Sequence, residues 1–397
     1  MNQPPEGAQP FCSSGSSNRG AAPLLVHFGF IVTGIVTTLL GPLLPVLIVR
    51  WSLSDERAGL FFTLQFCGNL AGIASLSALI SRYGYRAAFG AGFTFLALGV
   101  AALNLGTELF GLLATALYGY GLGLVLPAAN LWVAEFAGSQ RAAKLTILNL
   151  AWGIGAVSSP ALVTFAEANH LLALAVYGIA GCSAILAVSL GWIDLEPNIQ
   201  QHDESRAQSG TTVRARTACA LGVLFFLYVG AETSIGGWAA ALATRTGVAG
   251  GSLDGLVPAY FWAGILAGRA LGPLVLRHAS ERAALVLGLA LAGAGNGALL
   301  RASTLSATAA CLVVVGLGFA GIYPLLISLM VGQFGARASL LGNVIFALGS
   351  VGGATVPWLV GFTSTLASSL RAGLLIPMFA CLAMIALVGL VPRPRFA

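Results

Sequence analysis

Charge is scarce in this chain. Only 8% of its 397 residues are Asp, Glu, Lys or Arg, against about one quarter in soluble domains, and 57% are hydrophobic. So few charges could not coat a soluble fold, and that class is excluded. The six cysteines (Cys12, Cys67, Cys182, Cys219, Cys311 and Cys381) form no CxxC pair and lie in or near apolar stretches, so neither a disulfide frame nor a zinc site is indicated. They read as small buried hydrophobes. The chain has no GxxxxGK[ST] loop, no paired-carboxylate active site and no metal-ligand cluster. ATP drive, enzymatic catalysis and bound cofactors or metals are therefore not expected, and the short connections leave no room for a soluble catalytic domain.

What the chain does have is long apolar runs. A helix crossing a hydrocarbon core of about 30 Å needs about 20 residues, and twelve such runs can be counted. They lie near residues 24 to 48, 58 to 80, 86 to 105, 110 to 136, 143 to 166, 170 to 193, 217 to 243, 253 to 276, 283 to 300, 305 to 334, 338 to 363 and 371 to 391. They are continuous and rich in Gly, Ala and Leu, without the period-two alternation of barrel strands. The expectation is an all-α membrane protein with twelve transmembrane helices. Residues 1–22 carry Pro, Gly and Ser without periodicity and read as a disordered tail. The formal net charge of +6 reflects topology and not nucleic acid. With the N-terminus inside, the even-numbered connections and both termini hold 13 of the 19 Lys and Arg, which places both ends in the cytoplasm. The location expected is the plasma membrane, or the inner membrane of a bacterium.

The two halves of the chain repeat. "GNLAG" (Gly68 to Gly72) returns as "GILAG" (Gly264 to Gly268), and "GLG" at Gly121 with Pro127 returns as "GLG" at Gly316 with Pro324. "GIGAVSSP", ending at Pro160, returns as "SVGGATVP", ending at Pro357. Three matches in order, each about 196 residues apart, imply that six spans repeat as six. Six is even, so the repeat is parallel and its pseudo-two-fold axis runs along the membrane normal. The expected organisation is a six-helix bundle over 23–194, a polar cytoplasmic linker over 195–216, a second bundle over 217–392 and a short cytoplasmic tail over 393–397.

Twelve spans in this 6+6 arrangement resemble the major facilitator superfamily. "SRYGYR" (Ser81 to Arg86) looks like its loop motif with Ser81 in place of the acid, and "LRHASER" (Leu276 to Arg282) is a weaker echo. Within the superfamily, "YVGAETSIGGW", "LAGRALG", "GIYPLLISL" and "SVGGATVPWLVGF" resemble the fucose permease branch of sugar:proton symporters. "AAN" at Ala128 and "LNLAWGIGA" at Leu148 echo it in the first half. The resemblance implies alternating access, a small-molecule substrate and coupling to a proton. It departs at the branch's two coupling acids, whose places fall near Gly41 and at Leu126.

An ionised side chain at mid-membrane costs from about 3 to more than 10 kcal/mol, so it faces a cavity, pairs or takes up a proton. Glu232 lies about 22 Å along its helix, past the midplane, and reads as the proton carrier or a substrate ligand. The bland alternative is a paired acid tethering helices. Gly236 and Gly237 beyond it suggest a bend or unwound turn. Glu135 is the rival coupling acid, but it sits near the cytoplasmic edge and reads more plainly as a gate acid pairing with Arg82, Arg141 or Lys144, while Arg269 reads as a gate contact, a substrate ligand or a partner of Glu232. Gln65 with Asn69, and Asn149 with Trp152, fall on single helix faces. Amides that hydrogen-bond hydroxyls, beside an indole face, suit a neutral polyol. Asn130, Trp238, Tyr323, Asn343 and Trp358 could join them. For each, the plainer reading is packing or an interhelical hydrogen bond.

Together these residues point to a secondary transporter of a small neutral polar solute. A sugar carried by proton symport leads, with sodium as the other candidate ion, and the chain is expected to act as a monomer among lipids. An exporter of drugs or amphipathic metabolites on the same fold is the first alternative. A non-transporting receptor or scaffold is the second.

Overall fold

Proline and glycine divide the apolar runs into helices. The structure, a computed structural model, describes residues 21–136, 140–193, 195, 215–250, 253–334 and 338–391, with the backbone alone at 142 and 338–343. Most of the expected tails and linker lie outside the described residues. In chain order the helices are α1 Ala22–Thr38, α2 Leu40–Trp51, α3 Asp55–Ala102, α4 Glu108–Phe136, α5 Arg141–Ala168, α6 Leu172–Trp192 and α7 Ala215–Thr246. A short 3₁₀ turn, Asp254–Leu256, then leads into α8 Val257–Val275, followed by α9 Glu281–Leu299, α10 Leu305–Ala320 and α11 Ile322–Phe334. The last three are α12 Ala338–Ala367, α13 Leu370–Gly373 and α14 Leu375–Leu390.

Each break has a local cause. α1 and α2 form one span bent by 41°, because Pro42 offers no N–H to the Thr38 carbonyl and its ring crowds that carbonyl. Pro324 does the same to Ala320, and the chain breaks at Gly321 between α10 and α11. The 48 residues of α3 cover two spans that part at Gly84, which takes a positive φ of 73°. Among the described residues, nine helical segments are long and apolar enough to cross a membrane, and the bent α1–α2 pair makes ten. With α3 counted as two spans, and with α8, which carries Arg269 and Pro273, the twelve expected spans are accounted for.

The repeat in the sequence is a repeat of helix contacts. α1 packs on α5 as α7 packs on α12, and α3 on α4 as α8 on α10. A Cβ added to Gly155 would stand 2.0 Å from the Ile31 carbonyl, and one added to its counterpart Gly352 would stand 2.0 Å from that of Phe226. Side chains are excluded there by backbone, as small-residue membrane interfaces require. The contacts also correct one register. Gly119 faces Gln65 as Gly316 faces Phe261, and Gly121 faces Gly92 as Gly318 faces Gly288. The true partner of Gly316 is thus Gly119 and not Gly121. The run Gly119, Gly121, Gly123 offers two registers to the eye and only one to the neighbouring helix.

The expected bend at Gly236 and Gly237 is absent, for α7 runs unbroken through them. Their missing side chains serve close approach. Cβ atoms there would meet the Trp262 ring at 2.7 Å and the Phe62 ring at 2.5 Å, and the Gly236 carbonyl lies 2.6 Å from a Cβ built on Gly41.

Candidate functional site

The halves meet where α3 touches α12, α2 touches α7 and α5 touches α8. On α7, which packs against α2 across this seam, Tyr228 and Glu232 stand one turn apart on one face of the helix. Arg269 and Tyr323 act on the acid electrostatically. Rings wall this side: Tyr228 lies 6.1 Å from Tyr323, and Phe225 lies 5.8 Å from Tyr323 and 5.6 Å from Phe346. Glu232 Oε1 is sealed from solvent and accepts no hydrogen bond. A buried carboxylate oxygen without a donor is costly, by about 1–3 kcal/mol or more. A proton on the carboxyl, or a donor brought by a solute, would remove that cost.

Arg269 makes no contact ion pair with Glu232. Its guanidinium carbon sits 5.6 Å from the centroid of the Trp152 ring, in cation–π geometry across the seam. Trp152 meets Trp262 edge-on at 5.8 Å, and the Trp262 indole nitrogen is buried without an acceptor. Sequence reasoning left Trp262 and Tyr228 unassigned. Neither is charged; helical spacing alone puts Tyr228 one turn from Glu232, whereas Trp262 meets the Trp152 ring only through the fold.

The amides divide by what they already hold. Gln65 is buried and used within the first half, donating to the Thr37 carbonyl at 3.3 Å and accepting from the Tyr118 hydroxyl at 3.2 Å. Asn69 crosses the seam, its Oδ1 accepting from Ser350 at 3.4 Å. Asn130 and Asn149 each donate to the carbonyl four residues back, at 2.8 Å in both cases, which leaves their side-chain oxygens to accept. Trp238 faces no site: it is 0% exposed, packs against Phe62 and donates to the Pro357 carbonyl at 3.0 Å. Its N–H is already satisfied and its ring is enclosed. Trp358 stacks on Phe362 of its own helix at 5.5 Å, and Asn343 lies outside the described side chains.

The two ends of the seam differ. At the end where α3 begins, the halves are joined. Asp55 of the first half accepts from both terminal nitrogens of Arg245 and, at 2.5 Å, from Ser364 of the second. The Glu56 backbone N–H donates to Thr365 at 3.0 Å, and Thr63 donates to the Ala354 carbonyl at 2.7 Å. From Asp55 to Asn69 is about 20 Å of helix.

At the opposite end, the hydrogen bonds of Glu135, Arg86 and Arg282 each stay within one half. Glu135 accepts from the Tyr85 hydroxyl at 2.7 Å, in place of the expected ion pair, and Arg82 and Arg141 are exposed. Arg86 donates to the Gly191 carbonyl at 3.0 Å, closing the end of α6. Its counterpart Arg282 donates to the Val388 and Val391 carbonyls at 2.6 and 3.0 Å, closing α14. These arginines of the two loop motifs cap helix C-termini, where cations complement free carbonyls.

Two six-span bundles that meet along a seam of packed helices, with a buried acid on one of those helices, define a membrane transporter of the two-bundle class. The chain belongs to the Major Facilitator Superfamily, whose family model matches residues 26–225. It is similar to the glucose/galactose transporter of Brucella abortus, with 27% identity over 96% of each chain. It is also similar to the glucose/mannose transporter of Bacillus subtilis, with 24% identity over 84% of this chain and 86% of that one. Among solved structures, the fucose:proton symporter of E. coli superposes with a TM-score of 0.64 at 18% identity, covering 94% of this chain and 98% of that one.

Proposed function

We propose that this transporter carries a hexose or closely related sugar by proton symport, with Glu232 as the proton site. The observation that carries this reading is the Glu232 carboxylate oxygen, buried without a donor on a helix that packs against the first half. Protonation removes the charge from the membrane interior, and a sugar hydroxyl can donate to the oxygen left free. Trp152 offers the flat apolar face that sugar C–H groups favour, while Asn69, Asn130 and Asn149 present acceptor oxygens. Two relatives over most of their length are named for hexoses, which supports the substrate class. With the linker in the cytoplasm, as the Lys and Arg distribution implies, the Asp55 end of the seam faces outward. The first half lacks acids near Gly41 and at Leu126, so the coupling group lies in the second half.

The test is uptake into proteoliposomes. Wild type accumulates labelled glucose, galactose or mannose under an imposed inward proton gradient, whereas Glu232→Gln exchanges sugar down its gradient without accumulation. Gradient-driven accumulation by the mutant at the wild-type level would remove Glu232 as the coupling group. One observation favours a second reading, export of an amphipathic metabolite: Tyr228, Tyr323, Phe225, Phe346, Trp152 and Trp262 outnumber the amides around the acid. Stabilisation of the purified protein by amphiphiles and not by hexoses would support it.

A further inference from the structure

We propose that Asp55 and Arg245 form the charge lock of the far side, the end of the seam where the halves are joined, and that this pair sets how often that side opens. The pair was not evident from sequence, because its members are 190 residues apart and each sits at a helix end where a charge is ordinary. The fold joins them across the seam. Asp55 opens α3 in the first half, Arg245 lies in the last turn of α7 in the second, and two parallel hydrogen bonds link them. Ser364 at the end of α12 takes the same carboxylate. A Cβ on Gly361 would stand 2.2 Å from the Asp55 carbonyl, so the α12 backbone lies directly on the start of α3.

Two features make this a lock that can release. The acid is at a helix N-terminus and the base at a helix C-terminus, so each keeps a favourable dipole after they separate. The Asp55 side chain is 7% exposed but that of Arg245 is 39% exposed, so water reaches the pair from one side and its strength is intermediate between buried and surface pairs. α7 carries both the lock cation and Glu232, about 20 Å apart on one continuous helix. Tilting of α7 about the centre would strain the lock directly.

The test uses the full chain with its native cysteines replaced by serine and Thr63→Cys added in the joined zone. The rate of labelling by a membrane-impermeant maleimide in proteoliposomes reads opening of the far side. Asp55→Asn and Arg245→Gln are each expected to raise that rate roughly tenfold, the size of a typical coupling between conformational states. The reversed pair, Asp55→Arg with Arg245→Asp, should restore much of the slow rate, which a merely structural role would not predict. Unchanged labelling in both neutralised variants, or effects of the two that simply multiply in the double variant, would overturn the lock. If a neutralised variant fails to fold in a thermal melt, the reversed pair alone decides: slow labelling supports the lock and fast labelling overturns it. The readout needs no substrate, so it stands or falls separately from the sugar assignment.

Discussion

Ser350 on α12 donates to Asn69 Oδ1 on α3 at 3.4 Å, closer to the linker end of the seam than the bond from Thr63 to the Ala354 carbonyl that joins the same two helices. The bond is long and therefore weak. If the amide serves the sugar, removing each partner has a different consequence. Asn69→Ala should weaken apparent hexose affinity about 3- to 30-fold, since an interhelical or ligand hydrogen bond in a membrane protein is worth about 0.6–2 kcal/mol. Ser350→Ala frees the amide and should leave affinity within about twofold. Equilibrium binding in detergent checks both, and equal losses would assign the pair to packing.

Trp152 carries the guanidinium of Arg269 on its ring and meets Trp262 at its edge. Truncation to alanine removes an aromatic face and an edge contact together, so Trp152→Ala should reduce hexose affinity more than about tenfold. Trp152→Phe keeps a ring and should lose less. Arg269→Lys replaces a planar group with a point charge and should weaken transport although the charge is retained. Counterflow kinetics of the three variants rank these effects, and a Phe variant as poor as Ala would argue against stacking.

Much of the fold was legible because a membrane imposes it. Runs of spanning length, short connections and glycine strings about 196 residues apart gave the twelve spans and their repeat without knowledge of any contact. Glu232 was legible for the same reason, since an acid at that depth needs an explanation. Its surroundings were not. Tyr228 and Trp262 carry no charge and fit any apolar helix, and the Asp55–Arg245 pair joins two unremarkable helix ends. Trp238 misled in the opposite direction, because an indole next to two glycines reads the same whether the ring lines a cavity or fills the closed part of the seam.

Gly155 and Gly352 make the stability claim of the repeat testable. Each admits a carbonyl to 2.0 Å of where its Cβ would be, so Gly155→Val or Gly352→Val must push α1 from α5, or α7 from α12. Each should lower folded yield sharply, with a loss of several kcal/mol beyond the usual 1–3 kcal/mol of overpacking, because backbone cannot repack. Gly178 on α6 has nothing within 4 Å of its Cβ position, so Gly178→Ala should melt within a degree or two of wild type. Detergent thermal melts with size-exclusion profiles measure all three.

Arg86 and Arg282 predict a pair of matched effects at the linker end. Each guanidinium closes the last carbonyls of the sixth span of its own half, at 3.0 Å to Gly191 and at 2.6 Å to Val388. A cation at a helix C-terminus is worth about 0.3–1 kcal/mol when exposed and up to about 2 when partly buried. Arg282 is the more buried and bonds two carbonyls, so Arg282→Ala should lower the melting temperature more than Arg86→Ala. Arg82, exposed beside Gly84, should leave it unchanged when replaced by alanine. Neither cap reaches the other half, so the maleimide labelling rate of the Thr63→Cys protein, which reads the far side, should not respond to either variant. A large change there would mean that these arginines also act between the halves, beyond each half's own helix caps.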